Sequence, residues 1–480
     1  MKELKTSYIA KEINGTLIGY DKVIGGIFNF LNAARKGDAV IRHWIDEKGV
    51  EIAARKGISC VITQNPKGNA IKTAEKLELP IIITEKIELA NAFAINWAIN
   101  KFANDSIRVV ITGTNGKSTT AHMIYHILKE AGYCTYTNTD SKSEFNTLID
   151  PMVAKQIAEF GEKIDAMVIE VSEVQGWLDN IMKDHAYLMT SAIDPDVVVI
   201  TNVALDHIGL VNSIEETFDE TSGAVKAINK ENSHLILNND DPLVKKMENL
   251  TPAKNIIFFG NNAQISNNEN GIVYNGNIII KKNDLPFKGN HFIQNIMAAI
   301  GAVISLNIDH KTIEHAVKTY KPLKRRFTII NNNPYIIDDF AHNPDGIRAT
   351  IENAALMSNG NFFVVSAIRG SRGEIINQVN AEAIADGLQN IHYKLIVTSS
   401  NDVVDNLNIV TEDEKKVFVD TLENRGIKYI FYKRLYDALE EVLNLADNKD
   451  TILLIGAQGM DPANELLEKI LKSKKKLITN

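Results

Sequence analysis

Residues 109–120, V-V-I-T-G-T-N-G-K-S-T-T, constrain the fold more than any other stretch of this chain. A run of β-branched residues, suited to burial on both faces, ends in a glycine turn. The turn leads into a segment with Ala121, Ile124, Tyr125 and Leu128 on one helical face. Strand, turn and helix in that order belong to an α/β layer, and the helix directs its positive dipole end at the turn. Gly113 and Gly116 permit positive φ and let backbone N–H groups converge on an anion. Lys117 adds a mobile positive charge, and Ser118 a hydroxyl suited to Mg²⁺. Gly113, Thr114, Asn115, Gly116, Lys117, Ser118 and Thr119 therefore read as a cradle for a triphosphate. The general G-x-x-x-x-G-K-[ST] pattern is not fully met, because Ile111 stands where its first glycine belongs.

A chain of 480 residues with 45% hydrophobic content is too long for one core and should divide into about three domains. Its net charge of −8 argues against a broad cationic surface for nucleic acid, so an anionic substrate must be met by a local positive site. Cys60 and Cys134 are the only cysteines, which fits a reducing compartment rather than a disulfide framework. Residues 1–20 lack the apolar centre of a signal peptide, and no uninterrupted apolar run reaches about 18 residues. The expectation is a cytoplasmic monomer with no membrane and no nucleic-acid partner.

Residues 1–105 alternate short strands (38–42, 60–63, 80–84) with helical stretches, the pattern of a small α/β domain. Residues 106–322 carry Val/Ile runs at 108–112, 166–171, 197–203, 235–238 and 256–259, the mark of a mostly parallel, P-loop ATPase-type sheet. Asn275-Gly276 lies between alternating apolar residues as a hairpin signal. The stretch K-P-L-K-R-R-F-T at 321–328 reads as a linker. From 323 to 480, strands at 335–340, 362–367, 393–399, 429–431 and 452–455 predict a Rossmann-like, doubly wound third domain.

Further candidate residues stand where strands end, the edge at which open α/β sheets collect ligands. Glu170 leaves a buried strand in I-E-V-S-E, where a Mg²⁺ shared with Ser118 would compensate its charge. T-N-V-A-L-D-H places His207 after a Val-rich strand, with Lys226 further on in S-G-A-V-K-A. L-N-N-D-D-P (237–242), G-N-H-F-I-Q-N ending at Asn295, Arg326-Phe327, and I-D-D-F-A-H-N-P containing Asp339 complete the set. His122 and His126 share a helix face, but no third zinc ligand accompanies them. Trp44, Trp97 and Trp177 read as packing residues.

Taken together, T-G-T-N-G-K-S-T, T-N-V-x-x-D-H, L-N-N-D-D-P and D-D-F-A-H-N-P resemble the motifs of the Mur ligase family of ATP-dependent amide ligases. The resemblance implies ATP on the glycine loop, Asn295 at the adenine edge, and Arg326 and Asp339 brought to ATP by the hinge and C-terminal domain. It also implies two Mg²⁺ ions, one at Ser118 and Glu170, the other at His207 and a carbamylated Lys226. Lys117, His207 and Lys226 would carry the chemistry. Three departures stand out: Phe292 where an asparagine is usual, Arg325 in place of a glycine, and Glu173 in place of a serine. The absence of D-N-P-R near Thr398 to Glu412, together with D-F-A-H-N-P and G-A-Q-G-M-D (456–461), is more similar to the archaeal pseudomurein peptide ligases. The implied substrates are a UDP-linked peptide precursor, bound by a first domain containing K-G-D-A-V (36–40), and a free amino acid. A folylpolyglutamate- or cyanophycin-type ligase shares the same apparatus. A P-loop kinase or a non-catalytic nucleotide-binding module would need only part of it.

Overall fold

The continuous Val/Ile runs fold as interior strands of three mostly parallel sheets. The computed structural model describes residues 3–139, 151–177, 180–204, 210–211, 213–287 and 289–478. The first sheet contains β1 (Thr16–Ile18), β2 (Phe28–Asn29), β3 (Ala39–Ile45), β4 (Cys60–Pro66) and β5 (Ile81–Ile83), ordered β1-β5-β4-β3-β2, with only β1 antiparallel. In the K-G-D-A-V element, the buried Asp38 carboxylate is used internally: it accepts from Ile27 N, Arg35 N and Asn29 Nδ2 and so shapes the loop before β3.

The second sheet is built from β6 (Ile107–Thr112), β7 (Thr135–Thr137) and β8 (Ala166–Glu170); a small hairpin of β9 (Gly176–Trp177) and β10 (Asn180–Ile181) follows β8. It continues with β11 (Val197–Ile200), β12 (His234–Asn238), β13 (Asn255–Phe259), β14 (Ile265–Asn268), β15 (Gly271–Tyr274) and β16 (Asn277–Lys281). Its order is β16-β15-β14-β13-β12-β11-β6-β8-β7, and only β15 runs against the others, pairing antiparallel with β14 and with β16. The predicted hairpin is there, with Asn275 and Gly276 at φ +47° and +82°, as a two-residue turn of this hand requires. The chain leaves β6, crosses to β7 and β8 on one side, then returns to β11 on the other. Thr112 pairs with Ile200, and Ile111 with Glu170, so the ends of β8 and β11 flank the glycine turn at a topological switch point.

The third sheet contains β17 (Thr328–Asn332), β18 (Tyr335–Asp339), β19 (Phe362–Ala367), β20 (Tyr393–Thr398), β21 (Tyr429–Tyr432) and β22 (Thr451–Ile455). Its order is β17-β18-β22-β19-β20-β21, parallel except for β17. β17 begins at Thr328, the last residue of the stretch read as a linker. It is an edge strand with two asparagines and no apolar run, so periodicity gave no sign of it.

The chain divides into two compact units, Met1–Leu285 with Gln294–Tyr320, and Pro286–Ile293 with Lys321–Asn480. The first unit contains two sheets because the helix Ile87–Phe102 joins them. Its Ala90, Ala94 and Ala98 are buried in one core with Ala186 and Met189 of the helix His185–Ile193, and Asn96 Nδ2 donates to Ala192 O at 3.0 Å. Trp97 packs edge-on against Phe28 in this unit. Among the described residues no helix is long and apolar enough to cross a membrane.

Candidate active site

The turn after β6 takes the shape that its glycines allow. Gly113 has φ +123° and Gly116 φ +85°. A Cβ on Gly113 would stand 2.3 Å from Thr201 Oγ1 and 2.8 Å from Asn202 O, and one on Gly116 would stand 2.2 Å from Asn295 Oδ1. The turn is tied to the segment following β11: Thr114 N donates to Asn202 O (2.9 Å), Asn115 N to Asn202 Oδ1 (2.8 Å), and Asn202 Nδ2 to Asn115 O (2.9 Å). Thr114 Oγ1 receives Ala204 N at 2.9 Å. The helix Lys117–Glu130 begins directly after Gly116, with Ser118 and Thr119 buried in its first turn. The leading N–H groups of a helix have no intrahelical acceptor, so this terminus suits an anion.

Glu170, at the end of β8, is almost wholly buried, and three side chains fix it through four hydrogen bonds. Ser118 Oγ donates to Oε1 at 2.9 Å and Thr139 Oγ1 to Oε2 at 3.2 Å, while Asn138 exchanges hydrogen bonds with the Glu170 backbone at 2.8 and 2.9 Å. A hydroxyl and a carboxylate at that separation are hard oxygen donors, and they fit a Mg²⁺ that keeps its remaining positions for water and phosphate. Among the described residues no group of three or more His, Cys, Asp or Glu could hold a metal.

Lys117 Nζ donates to Gly113 O (2.6 Å), Thr114 O (2.9 Å) and Glu173 Oε2 (2.7 Å). Glu173 is fully enclosed. Sequence reasoning singled out Glu173 only as a departure from a motif; its contact with Lys117 bridges 56 positions and leaves no local signal. Asn202 was legible only as part of T-N-V, without its role in holding the turn.

His207 lies outside the described residues, as does Asp206. Lys226 is the last residue of the helix Ile214–Lys226 and is exposed there, where its charge complements the negative end of the helix dipole. In the L-N-N-D-D-P turn, Asp241 caps the helix Pro242–Lys246 by accepting from Leu243 N and Val244 N, and its other oxygen receives Val203 N at 2.7 Å. Asp240 receives Gln294 Nε2 at 3.1 Å and so orients the start of the helix that carries Asn295. Asn295 is buried against Gly116. His122 Nδ1 lies 3.1 Å from Tyr320 Oη, and burial pushes its pKa down to about 4, which accounts for it as a packed, neutral histidine.

In the second unit, Arg326 lies over the Phe340 ring at 4.8 Å. Asp339 is held by Ala341 N (2.8 Å) and Thr350 Oγ1 (3.2 Å); burial raises its pKa, and the charge of Arg326 opposes that rise. Arg325 occupies a left-handed conformation, φ +61°, the backbone state that glycine favours. Its buried guanidinium donates to Gly456 O (2.5 Å), Ala457 O (3.1 Å), Asp338 Oδ1 (3.3 Å) and Asp461. Phe292, the other departure, is buried and stacked on Phe287 at 4.8 Å, with Phe327 at 4.7 Å. It is a packing residue of this unit. A small cavity at the C-terminal edge of the third sheet is bounded by His342, Ser366, Arg369, Asn380 and Ala457. Nearby, the Glu414 carboxylate accepts from Ser371 N, Arg372 N and Gly373 N and sets the loop that carries Arg369.

Residues 111–303 match the Mur ligase middle domain, and residues 325–458 match the Mur ligase, glutamate ligase domain. A UDP-N-acetylmuramoyl-L-alanyl-D-glutamate--2,6-diaminopimelate ligase of Clostridium botulinum is 26% identical over 74% of each chain. Coverage of curated relatives' own length runs from 51% to 90%. The fold is similar to that of MurF from Acinetobacter baumannii (TM-score 0.72, 17% identity, covering 98% of this chain and 99% of that one). It is also similar to a pseudomurein peptide ligase type C from Methanothermus fervidus (TM-score 0.59, 19% identity, 89% and 100%).

Proposed function

The chain belongs to the Mur ligase family, and from that premise we propose that it is an ATP-dependent, ADP-forming ligase. It joins a free amino acid to a UDP-linked peptide precursor of the cell wall. The observation that carries this reading is the convergence of Lys117, Ser118 and Glu170 at the switch point between β8, β6 and β11. ATP would lie with its phosphates on residues 113–119. Ser118 and Glu170 would hold Mg²⁺, which when bound screens the charge of the phosphates. We assign His207 to a second metal position by its motif alone.

A carboxylate oxygen of the acceptor forms a bond to the γ-phosphorus of ATP as the bond to the β,γ-bridging oxygen breaks, and ADP departs. Lys117 offsets negative charge on the transferring group. The amine nitrogen of the second substrate then bonds to the acyl carbon, the carbon–oxygen bond to phosphate breaks, and the amine's surplus proton leaves to solvent. Arg326 and Asp339 are assigned to ATP by their motifs alone, and the cavity beside His342, Arg369 and Asn380 would receive the amino acid. The D-F-A-H-N-P and G-A-Q-G-M-D motifs and the absence of D-N-P-R favour a pseudomurein precursor, acting in the cytoplasm. The test is phosphate release from ATP with candidate UDP-peptides and single amino acids. Release requiring both substrates supports the ligase; release indifferent to the amine refutes it, and turnover with a folate acceptor in place of a UDP-peptide would reassign the substrate.

A further inference from the structure

The ammonium of Lys117 has three protons, and three acceptors take them: two carbonyls of its own turn and the carboxylate of Glu173. The carbonyls are fixed features. Gly113 is held by its positive φ and Thr114 by Asn202, so neither can withdraw without dismantling the turn. Glu173 differs, being a side chain on the segment between β8 and β9 and fully enclosed, with the Lys117 side chain only slightly exposed. An ion pair this little screened by solvent competes strongly with any second anion for the ammonium. A phosphate oxygen arriving at residues 113–119 gains Lys117 only by taking it from Glu173.

We propose that Glu173 is an internal counter-ion which competes with nucleotide for Lys117, and that releasing this contact sets the affinity of the phosphate loop. The inference rests on the reading of residues 113–119 as a nucleotide site. It makes Glu173 a positioning residue: it holds Lys117 folded back over its own turn until phosphate displaces it. Its effect on binding is therefore opposite in sign to that of a residue supporting the loop, because removing a competitor tightens binding whereas removing a support weakens it.

The experiment is isothermal titration of a non-hydrolysable ATP analogue, with and without Mg²⁺, into wild type, Glu173→Gln, Lys117→Ala and the double variant. Glu173→Gln keeps the shape and removes the charge. We expect its Kd to fall at least fivefold without metal, and the same change to shift Kd by less than twofold in the Lys117→Ala background. Unchanged or weaker binding by Glu173→Gln, or equal tightening without Lys117, overturns the proposal. If Glu173→Gln does not fold, Glu173→Asp, which withdraws the carboxylate by one methylene, replaces it, with at least a twofold tightening expected and no tightening overturning the proposal. A wild type that binds no analogue refutes the nucleotide reading itself; a wild type that binds, with variants that do not tighten, refutes only the competition.

Discussion

Replacing Gly113 by alanine tests whether the phosphate turn depends on its backbone geometry or on its chemistry alone. At φ +123° an L-residue is strained by about 1–3 kcal/mol. The added Cβ would also stand 2.3 Å from Thr201 Oγ1, 2.8 Å from Asn202 O and 3.0 Å from Asn202 N. The hydroxyl can rotate away. The Asn202 backbone cannot, because Asn202 O and Oδ1 are the acceptors that hold Thr114 N and Asn115 N. Overpacking of this kind costs about 1–3 kcal/mol more, giving about 2–6 kcal/mol concentrated on the turn. Gly132 supplies the control. It has φ +91° but nothing within 4 Å of its absent Cβ, so Gly132→Ala carries the strain without the clash. If about 1.4 kcal/mol of the Gly113→Ala cost appears as lost nucleotide affinity, Kd rises about tenfold. Titration with an ATP analogue, alongside thermal melting of both variants, is the assay. Gly113→Ala should weaken binding at least tenfold, and Gly132→Ala should bind within about twofold of wild type while melting slightly earlier. Native affinity in Gly113→Ala, or equal damage in both, would refute the geometric reasoning.

Arg325→Ala should destabilise the second unit by about 3–5 kcal/mol, because it strands Asp338 as an uncompensated buried charge; urea unfolding showing less than about 1 kcal/mol would contradict this. Burial pushes the Asp338 pKa up to about 6, with Arg325 opposing the rise, so the folded state holds this proton more tightly than the unfolded chain does. The associated stability is complete below about pH 4 and is lost as pH rises through 6. Asp338→Asn should remove that component, and a wild type-to-variant difference that stays flat between pH 4 and 7 would count against it. Lys226→Ala should keep turnover within about threefold of wild type, since the lysine is exposed at a helix end; abolished turnover would assign Lys226 to the metal site.

Sheet interiors were legible because a strand buried on both faces has to be a continuous apolar run, and β8, β11, β19 and β22 are such runs. β2, β7 and β17 were not, being short or polar edge strands that bury too little to impose a pattern. The glycine turn was legible because positive φ restricts residue type. The same rule explains Arg325: the backbone keeps the left-handed state, and the side chain that replaces hydrogen ties the start of the second unit to the end of β22. What the motifs could not convey is which acceptor each polar group uses. Lys117 reads as a free cation in the sequence, yet in the fold a glutamate 56 positions away holds it, through a contact with no periodicity to betray it. Asp241 and Asp38 lie inside motifs that the sequence singles out, and both carboxylates are occupied by backbone N–H groups that order their own loops. Residue type at a strand end thus identifies where ligands gather, whereas the distinction between a group that meets the ligand and one that builds the loop rests on hydrogen-bond partners that only the folded chain brings together.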